Sequence, residues 1–234
     1  MNDSWFRKLF KTDSEKKQTE NVEKKMDDSN GNKKGGIVIT IGRELGSGGR
    51  KVAKKVAEKL NYDYYDKEII TKAAKESGVD ENLFKQVDEA DLDSFWFEFS
   101  KDAYEKEEKK LSFKEMTAAD KLFMIQSDTI RNVAEKGSCV IVGRCATYIL
   151  KNNSKRIFIC ANEKDRIERI KRSYKVSEIE AKEIMDKSDK KRENYHSYYT
   201  NQNWKDPKGY DLVINTSEIG IDKAVEKIIE LVKT

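Results

Sequence analysis

The chain has 234 residues, a length that suits one sizeable α/β or α+β domain with an insertion or a tail. Charged residues make up 38% of it, against about 25% in a typical soluble domain, so part of the chain is expected to be solvated tail or highly charged helix. Because 47 Lys and Arg face 43 Asp and Glu, the net charge of +4 favours local basic sites over a nucleic-acid groove.

Composition also argues against several classes of protein. No apolar run approaches the ~18 residues of a membrane span, and the N-terminus lacks the apolar segment of a signal peptide. These features predict an intracellular, cytoplasmic protein. Three cysteines without CxxC spacing and a single histidine argue against a disulfide framework and a multi-histidine metal site.

Residues 1–35 form a polar tail that is expected to be disordered, because it holds too few aliphatic side chains to offset the entropy of ordering. At its tip, the apolar residues Trp5, Phe6, Leu9 and Phe10 recur at helical spacing beside basic residues. We interpret the tip as a fragment that folds loosely back on the body or is merely sticky. Weak docking to a membrane surface or a protein is the alternative.

Strands alternate with helices over residues 36–234. The first strand, residues 36–41, is apolar and β-branched, as in a strand buried on both faces of a parallel sheet. Further strands are predicted at 62–65, 139–142, 156–160 and 212–214. Helices are predicted at 52–61, 67–76, 116–135, 165–172, 176–195 and 221–232. The alternation predicts an α/β fold with a doubly wound parallel sheet of about five strands, which binds ligands beyond the carboxyl ends of the strands.

The connection between the second and third strands, residues 66–138, is too long for one crossover. It therefore predicts a helical insertion packed over the strand ends. Within it, four crowded aromatic residues are interpreted as the insertion's own small core: Phe95, Trp96, Phe97 and Phe99. Nucleobase stacking or a subunit contact is the alternative.

The glycine-rich turn after the first strand, GRELGSGGRK, predicts a phosphate cradle. Its glycines let the backbone approach an anion, and the helix that follows directs unpaired N–H groups at it. The predicted phosphate-binding residues are Gly46, Ser47, Gly48, Gly49, Arg50 and Lys51. A glycine-rich turn without a ligand is the alternative.

This turn departs from the Walker A pattern, GxxxxGK followed by Ser or Thr. Gly49 takes the place of the lysine, and the residues that follow it, Arg50 and Lys51, offer no magnesium-binding hydroxyl, which a cationic group cannot replace. Arg43 or Arg50 could supply the missing positive charge to phosphate oxygens. The sequence identifies no magnesium ligand.

Six collinear segments resemble the cytidylate kinase-like family of P-loop proteins. They are ITIGRELGSGGRKVAKKVAEKL, YYDKEII, VIVGRCATYIL, IFICANEKDRIERIKR, DKSDKKRENYHSYYT and YDLVINTS. The resemblance covers essentially residues 36–234 and implies a three-layer P-loop NTPase fold. It further implies ATP and Mg²⁺ as cofactors and phosphoryl transfer to a nucleoside monophosphate, cytidylate first. A non-catalytic nucleotide-binding regulatory module and a kinase of another small acceptor are the alternatives.

The resemblance also implies that the helical insertion, residues 66–138, binds the acceptor. Asp66 closes the second strand near the expected monophosphate site, although it is equally suited to cap the helix that begins at Lys67. Arg144 matches the arginine of the kinases' GRD motif, which holds the acceptor nucleotide, and a surface arginine that covers a strand end is the alternative. Cys145 replaces the aspartate of that motif.

A lid is implied over residues 163–205. Its candidate arginines are Arg166, Arg169, Arg172 and Arg192. Arg192 ends a DxxR motif that resembles the kinase lid. Arg192 and either Arg43 or Arg50 are the candidate catalytic residues, because phosphoryl transfer needs positive charge around the migrating group. A solvated helix face is the alternative for each arginine. We interpret His196 as structural or solvent-facing, because a phosphate acceptor needs no strong base.

Overall fold

The computed structural model describes residues 36–68, 71 and 117–233. The expectations for the tail, for the aromatic cluster at 95–99 and for most of the predicted helix 67–76 lie outside these residues. No helix within the described part is long and apolar enough to span a membrane.

Five parallel strands form one sheet in the order β2-β3-β1-β4-β5. The strands are β1 (Val38–Arg43), β2 (Asp63–Tyr65), β3 (Cys139–Val142), β4 (Lys155–Cys160) and β5 (Leu212–Asn215). The helices are α1 (Gly49–Leu60), α2 (Ala118–Lys136), α3 (Ala146–Ile149), α4 (Glu163–Tyr174), α5 (Glu178–Thr200) and α6 (Thr216–Lys233). The predicted fold class is thereby confirmed.

Helices cover both faces of the sheet. Successive residues of each strand point to opposite sides, so alternate residues of one strand pack against different helices. On one face, Ile39 and Ile41 pack with Val52 and Val56 of α1 and with Ile228 of α6. On the other face, a second buried cluster joins α2 and α3 to the sheet: Val38, Ile130, Val133, Cys139, Ile141, Ala146 and Leu150. The result is a three-layer arrangement with β1 at its centre.

Helices α4 and α5 pair through Ile167, Ile170, Ala181 and Met185, and Leu45 from the turn after β1 packs against them. A capping box begins α5: the Ser177 hydroxyl accepts from the N–H of Glu180, whose carboxylate accepts from the Ser177 N–H at 2.9 Å. The pair therefore stands beside the glycine-rich turn at the carboxyl edge of the sheet.

Candidate functional site

Two positive φ angles shape the turn between β1 and α1. Gly46 and Gly48 have φ of 75° and 78°, in the left-handed region that favours glycine. Space is also limiting, because a Cβ on Gly46 would lie 2.7 Å from the carbonyl oxygen of Arg166, and one on Gly48 would lie 2.5 Å from Cδ1 of Ile221. Both positions thus require glycine.

The N-terminus of α1 is open for an anion. Gly48 caps the helix without a side chain, and the first turn holds no acidic residue. Within the described residues, the N–H groups of Gly48, Arg50 and Lys51 donate to no protein acceptor. Ser47 is fully buried and its hydroxyl donates to the carbonyl of Glu44 at 2.8 Å, so its side chain holds the turn together. The backbone is what the turn offers to a phosphate.

Arg50 is turned toward carboxylates. Its Nη2 donates to Asp66 at 2.6 Å and to Glu68 at 3.0 Å, and these hydrogen bonds raise the pKa of Arg50. Asp66 also accepts from the N–H of Glu68 at 3.2 Å, which is the contact expected of a helix cap. Lys51 is exposed on α1. Arg50 and Asp66 therefore neutralise each other at the sheet edge.

Arg43, the last residue of β1, lies among other arginines. Burial and the positive charges of Arg192, Arg144 and Arg50 lower the pKa of Arg43. Its Nη1 would be 2.6 Å from a Cβ on Gly143, so the guanidinium lies against the end of β3. No carboxylate in the described part of the chain forms an ion pair with it, and an anion from solution would relieve the repulsion.

A cavity of about 520 Å³ opens between the carboxyl ends of β1 and β3. Six positively charged side chains and one carboxylate, Glu68, contribute to its lining within the described residues. The positive residues are Arg43, Lys67, Arg144, Lys187, Lys191 and Arg192. The excess of positive charge suits an anionic ligand.

Arg144 enters this cavity from a strained turn. Both Arg144 and Cys145 have left-handed backbones, with φ of 53° and 55°, a conformation that proteins retain mainly at functional sites. The guanidinium carbon lies 5.6 Å from the centre of the Tyr195 ring. Its Nε and Nη2 are buried without a hydrogen-bond partner of good geometry among the described residues, which is rare for a native side chain.

The predicted lid arginines fall into different environments. Arg166 is buried, donates to the carbonyl of Leu45 at 2.7 Å and pairs with Glu44 and Asp189. Arg169 donates to the carbonyl of Gly46 at 3.0 Å. These two side chains brace the glycine-rich turn. Arg172 is exposed on α4, and Arg192 lines the cavity.

Asp189 joins the turn to α5, a role that sequence reasoning missed. Its buried carboxylate accepts from the N–H of Leu45 and from Nη1 of Arg192, each at 2.9 Å, and it pairs with Arg166. The DxxR pattern contained the signal, since it places Asp189 one turn before Arg192. The position of Arg192 is thereby tied to the backbone of the cradle.

A magnesium ligand is not evident among these side chains. Within residues 36–68 and 117–233, no group of three or more His, Cys, Asp or Glu residues could hold a metal ion. The Ser47 hydroxyl is occupied by Glu44 and Gly49. The described side chains therefore form no metal cage of their own, and a magnesium ion that enters with ATP would be held mainly by the phosphates and water.

Comparison with known proteins places the chain in a family. The model of the cytidylate kinase-like family matches residues 38–218. An uncharacterized protein from Eubacterium ventriosum has a similar structure, with 31% identity, a TM-score of 0.64 and coverage of 85% of this chain and 99% of that one. TT1252 from Thermus thermophilus is 14% identical, with a TM-score of 0.51 and coverage of 85% and 97%. A search of curated proteins finds no match. The chain belongs to the cytidylate kinase-like family.

Proposed function

We propose that the protein transfers the γ-phosphoryl group of ATP to a nucleoside monophosphate, with cytidylate as the first candidate. The observation that carries this proposal is the cationic cavity at the carboxyl edge of the sheet, which Gly42, Arg43 and Leu45 of the glycine-rich turn help to line, while residues 46–51 at the start of α1 lie outside its lining. Two phosphate-binding surfaces side by side are what transfer between two phosphate groups requires. Membership of the family supports the same reaction class.

In this proposal, the cradle binds the phosphates of ATP through the backbone N–H groups at the start of α1. Arg43 supplies the charge that the Walker lysine provides elsewhere. We prefer Arg43 to Arg50 because Arg50 is already paired with Asp66 and Glu68, whereas Arg43 lines the cavity without an acidic partner in the described residues.

The remaining arginines divide by position. Arg144 binds the phosphate of the acceptor through its two unpaired buried donors. Arg192, held by Asp189, approaches the transferred group and stabilises the charge of its equatorial oxygens in the transition state. Arg166 and Arg169 keep the cradle in shape and do not contact substrate. Arg172 has no role in the reaction.

The experiment is a coupled assay of ADP release with magnesium-ATP and each of CMP, UMP, AMP and GMP, beside a reaction without acceptor. We expect ADP release that depends on the acceptor and is fastest with CMP. ATP binding in calorimetry without ADP release for any acceptor would contradict the proposal. That result would favour a nucleotide-binding regulatory module, the function that the missing Walker lysine at Gly49 otherwise suggests.

A further inference from the structure

The only histidine of the chain, His196, stands between two cavities. Its side chain contributes to the cationic cavity and to a second one of about 390 Å³, and Thr147 is shared in the same way. His196 is 7% exposed. It lies near the end of α5, one residue after Tyr195, whose ring is in contact with the acceptor-site Arg144.

One ring nitrogen of His196 is anchored to the protein. Nδ1 lies 3.2 Å from the carbonyl oxygen of Gln202 and 3.1 Å from the hydroxyl of Thr200. A carbonyl oxygen can only accept, and the Thr200 hydroxyl already donates to the carbonyl of His196 at 2.6 Å. Both partners therefore accept, so Nδ1 carries the hydrogen.

The second nitrogen, Nε2, is left with its lone pair. Burial lowers the pKa of His196, which favours the neutral ring. Within the described residues, no protein group donates to Nε2, and Nε2 is not among the fully buried atoms that lack a partner, while His196 lines both cavities. The other polar side chains around it in the cationic cavity are mainly donors. A hydrogen-bond acceptor in such a wall is suited to a neutral O–H or N–H group of a ligand.

We propose that His196 is a specificity-determining residue, which accepts a hydrogen bond at Nε2 from a hydroxyl or amino group of the acceptor substrate. The inference rests on the proposed function and deepens it. The phosphate of the acceptor meets the arginines, and its sugar hydroxyl or base amino group meets His196. The imidazole recognises the substrate through this hydrogen bond and does not act as a base that removes a proton from it.

The tautomer gives the first test. Because the chain has one histidine, protein without a polyhistidine tag gives one imidazole in long-range proton–nitrogen NMR spectra. We expect the Nδ1–H tautomer in the ligand-free protein, and a change in the Nε2 shift when CMP is added. A ring with its hydrogen on Nε2, or an Nε2 shift that saturating CMP leaves unchanged, overturns the proposal.

Two substitutions give the second test. His196→Asn retains an amide donor near Nδ1 and removes the Nε2 acceptor, whereas His196→Gln places an amide oxygen near Nε2. We expect His196→Asn to weaken CMP binding about tenfold, the usual loss for one hydrogen bond, and His196→Gln to restore most of it. Thermal denaturation of both variants checks folding, and if His196→Asn does not fold, the NMR result and His196→Gln decide.

Two analogues of CMP identify the substrate group that donates the hydrogen bond to His196. Deoxycytidylate lacks the 2′-hydroxyl, and UMP lacks the amino group of the base. The analogue without the recognised group is expected to bind wild-type protein and His196→Asn equally. Equal affinity of these two proteins for CMP as well overturns the inference alone. A His196→Gln variant with normal CMP affinity and a 100-fold lower turnover would also overturn it, by indicating a base. Failure of wild-type protein to bind any monophosphate overturns the proposed function together with the inference.

Discussion

Asp189 accepts a hydrogen bond from the backbone N–H of Leu45, 144 positions earlier in the chain, at 2.9 Å. The same carboxylate pairs with Arg166 and accepts from Arg192. One buried side chain on α5 therefore fixes both the shape of the phosphate cradle and the position of the arginine that we assign to the transition state.

Replacement of Asp189 by Asn is expected to lower both stability and turnover. The buried Arg166 would keep only Glu44 as an acidic partner, and removal of one partner from a buried ion pair costs about 3 to 5 kcal/mol. Urea denaturation measures the loss, and the ADP-release assay measures the effect on turnover. Asp186→Asn is the matched control, since Asp186 is exposed on the same helix. Equal free energies of unfolding for the two variants would contradict the role given to Asp189.

Arg43 and Arg50 are expected to differ sharply when each is changed to Ala. Loss of Arg43 should reduce turnover by about 100-fold or more, as loss of one preorganised electrostatic donor does. Loss of Arg50 should have a small effect, because its side chain is half exposed and already paired with Asp66 and Glu68. Steady-state kinetics with CMP decides between them. Similar losses for both variants would show that the arginine of the cradle is not Arg43 alone.

Arg144 and Arg192 are expected to separate kinetically. Arg144→Ala should raise KM for the monophosphate, because we assign binding of the acceptor phosphate to its Nε and Nη2, which have no hydrogen-bond partner within the described residues. Arg192→Ala should lower kcat with a smaller change in KM, as expected for a contact made in the transition state. Arg172→Ala is the control, because Arg172 is exposed and its one side-chain hydrogen bond within the described residues is to the carbonyl of Glu168. Equal and minor effects from all three changes would favour a binding module without catalysis.

Gly48→Val is expected to abolish ATP binding in calorimetry. The new side chain would strain the left-handed backbone of position 48 and would displace Cδ1 of Ile221, and we expect this to distort the N-terminus of α1 that faces the phosphates. A loss of stability should accompany the loss of binding. Gly209→Ala serves as the control, because a Cβ there would meet nothing within 4 Å. ATP affinity equal to that of the wild-type protein would mean that the glycine-rich turn is only a turn.

The centre of the sheet was predictable because β1 and β3 are short, mainly apolar runs rich in β-branched residues. The sequence-based bounds of β3 agree with the structure, and β1 is displaced by two residues. The roles of the arginines were not predictable from their spacing alone. Arg172 lies six residues after Arg166, and six residues rotate a helix by about 600°. Arg172 therefore points about 120° away from Arg166 and cannot share its surroundings. The packing of α4 against α5 decides which side of α4 faces Asp189, and the spacing of the arginines along α4 does not reveal that packing.

His196 should make the stability of the protein depend on pH. Burial lowers its pKa below the ordinary 6.5, so between 6.5 and the lower native value the unfolded chain binds a proton that the native protein does not. The free energy of unfolding therefore falls as the pH falls through this window, by at most about 1.4 kcal/mol per pH unit, and His196 has no such effect above it. Urea denaturation of wild-type protein and His196→Asn at about pH 7.5 and about pH 5.5 isolates this contribution from that of the carboxylates. We expect the wild-type protein to lose more stability on acidification than the variant. An equal loss in both would place the native pKa of His196 at its ordinary value, and a smaller loss in the wild type would require a raised one.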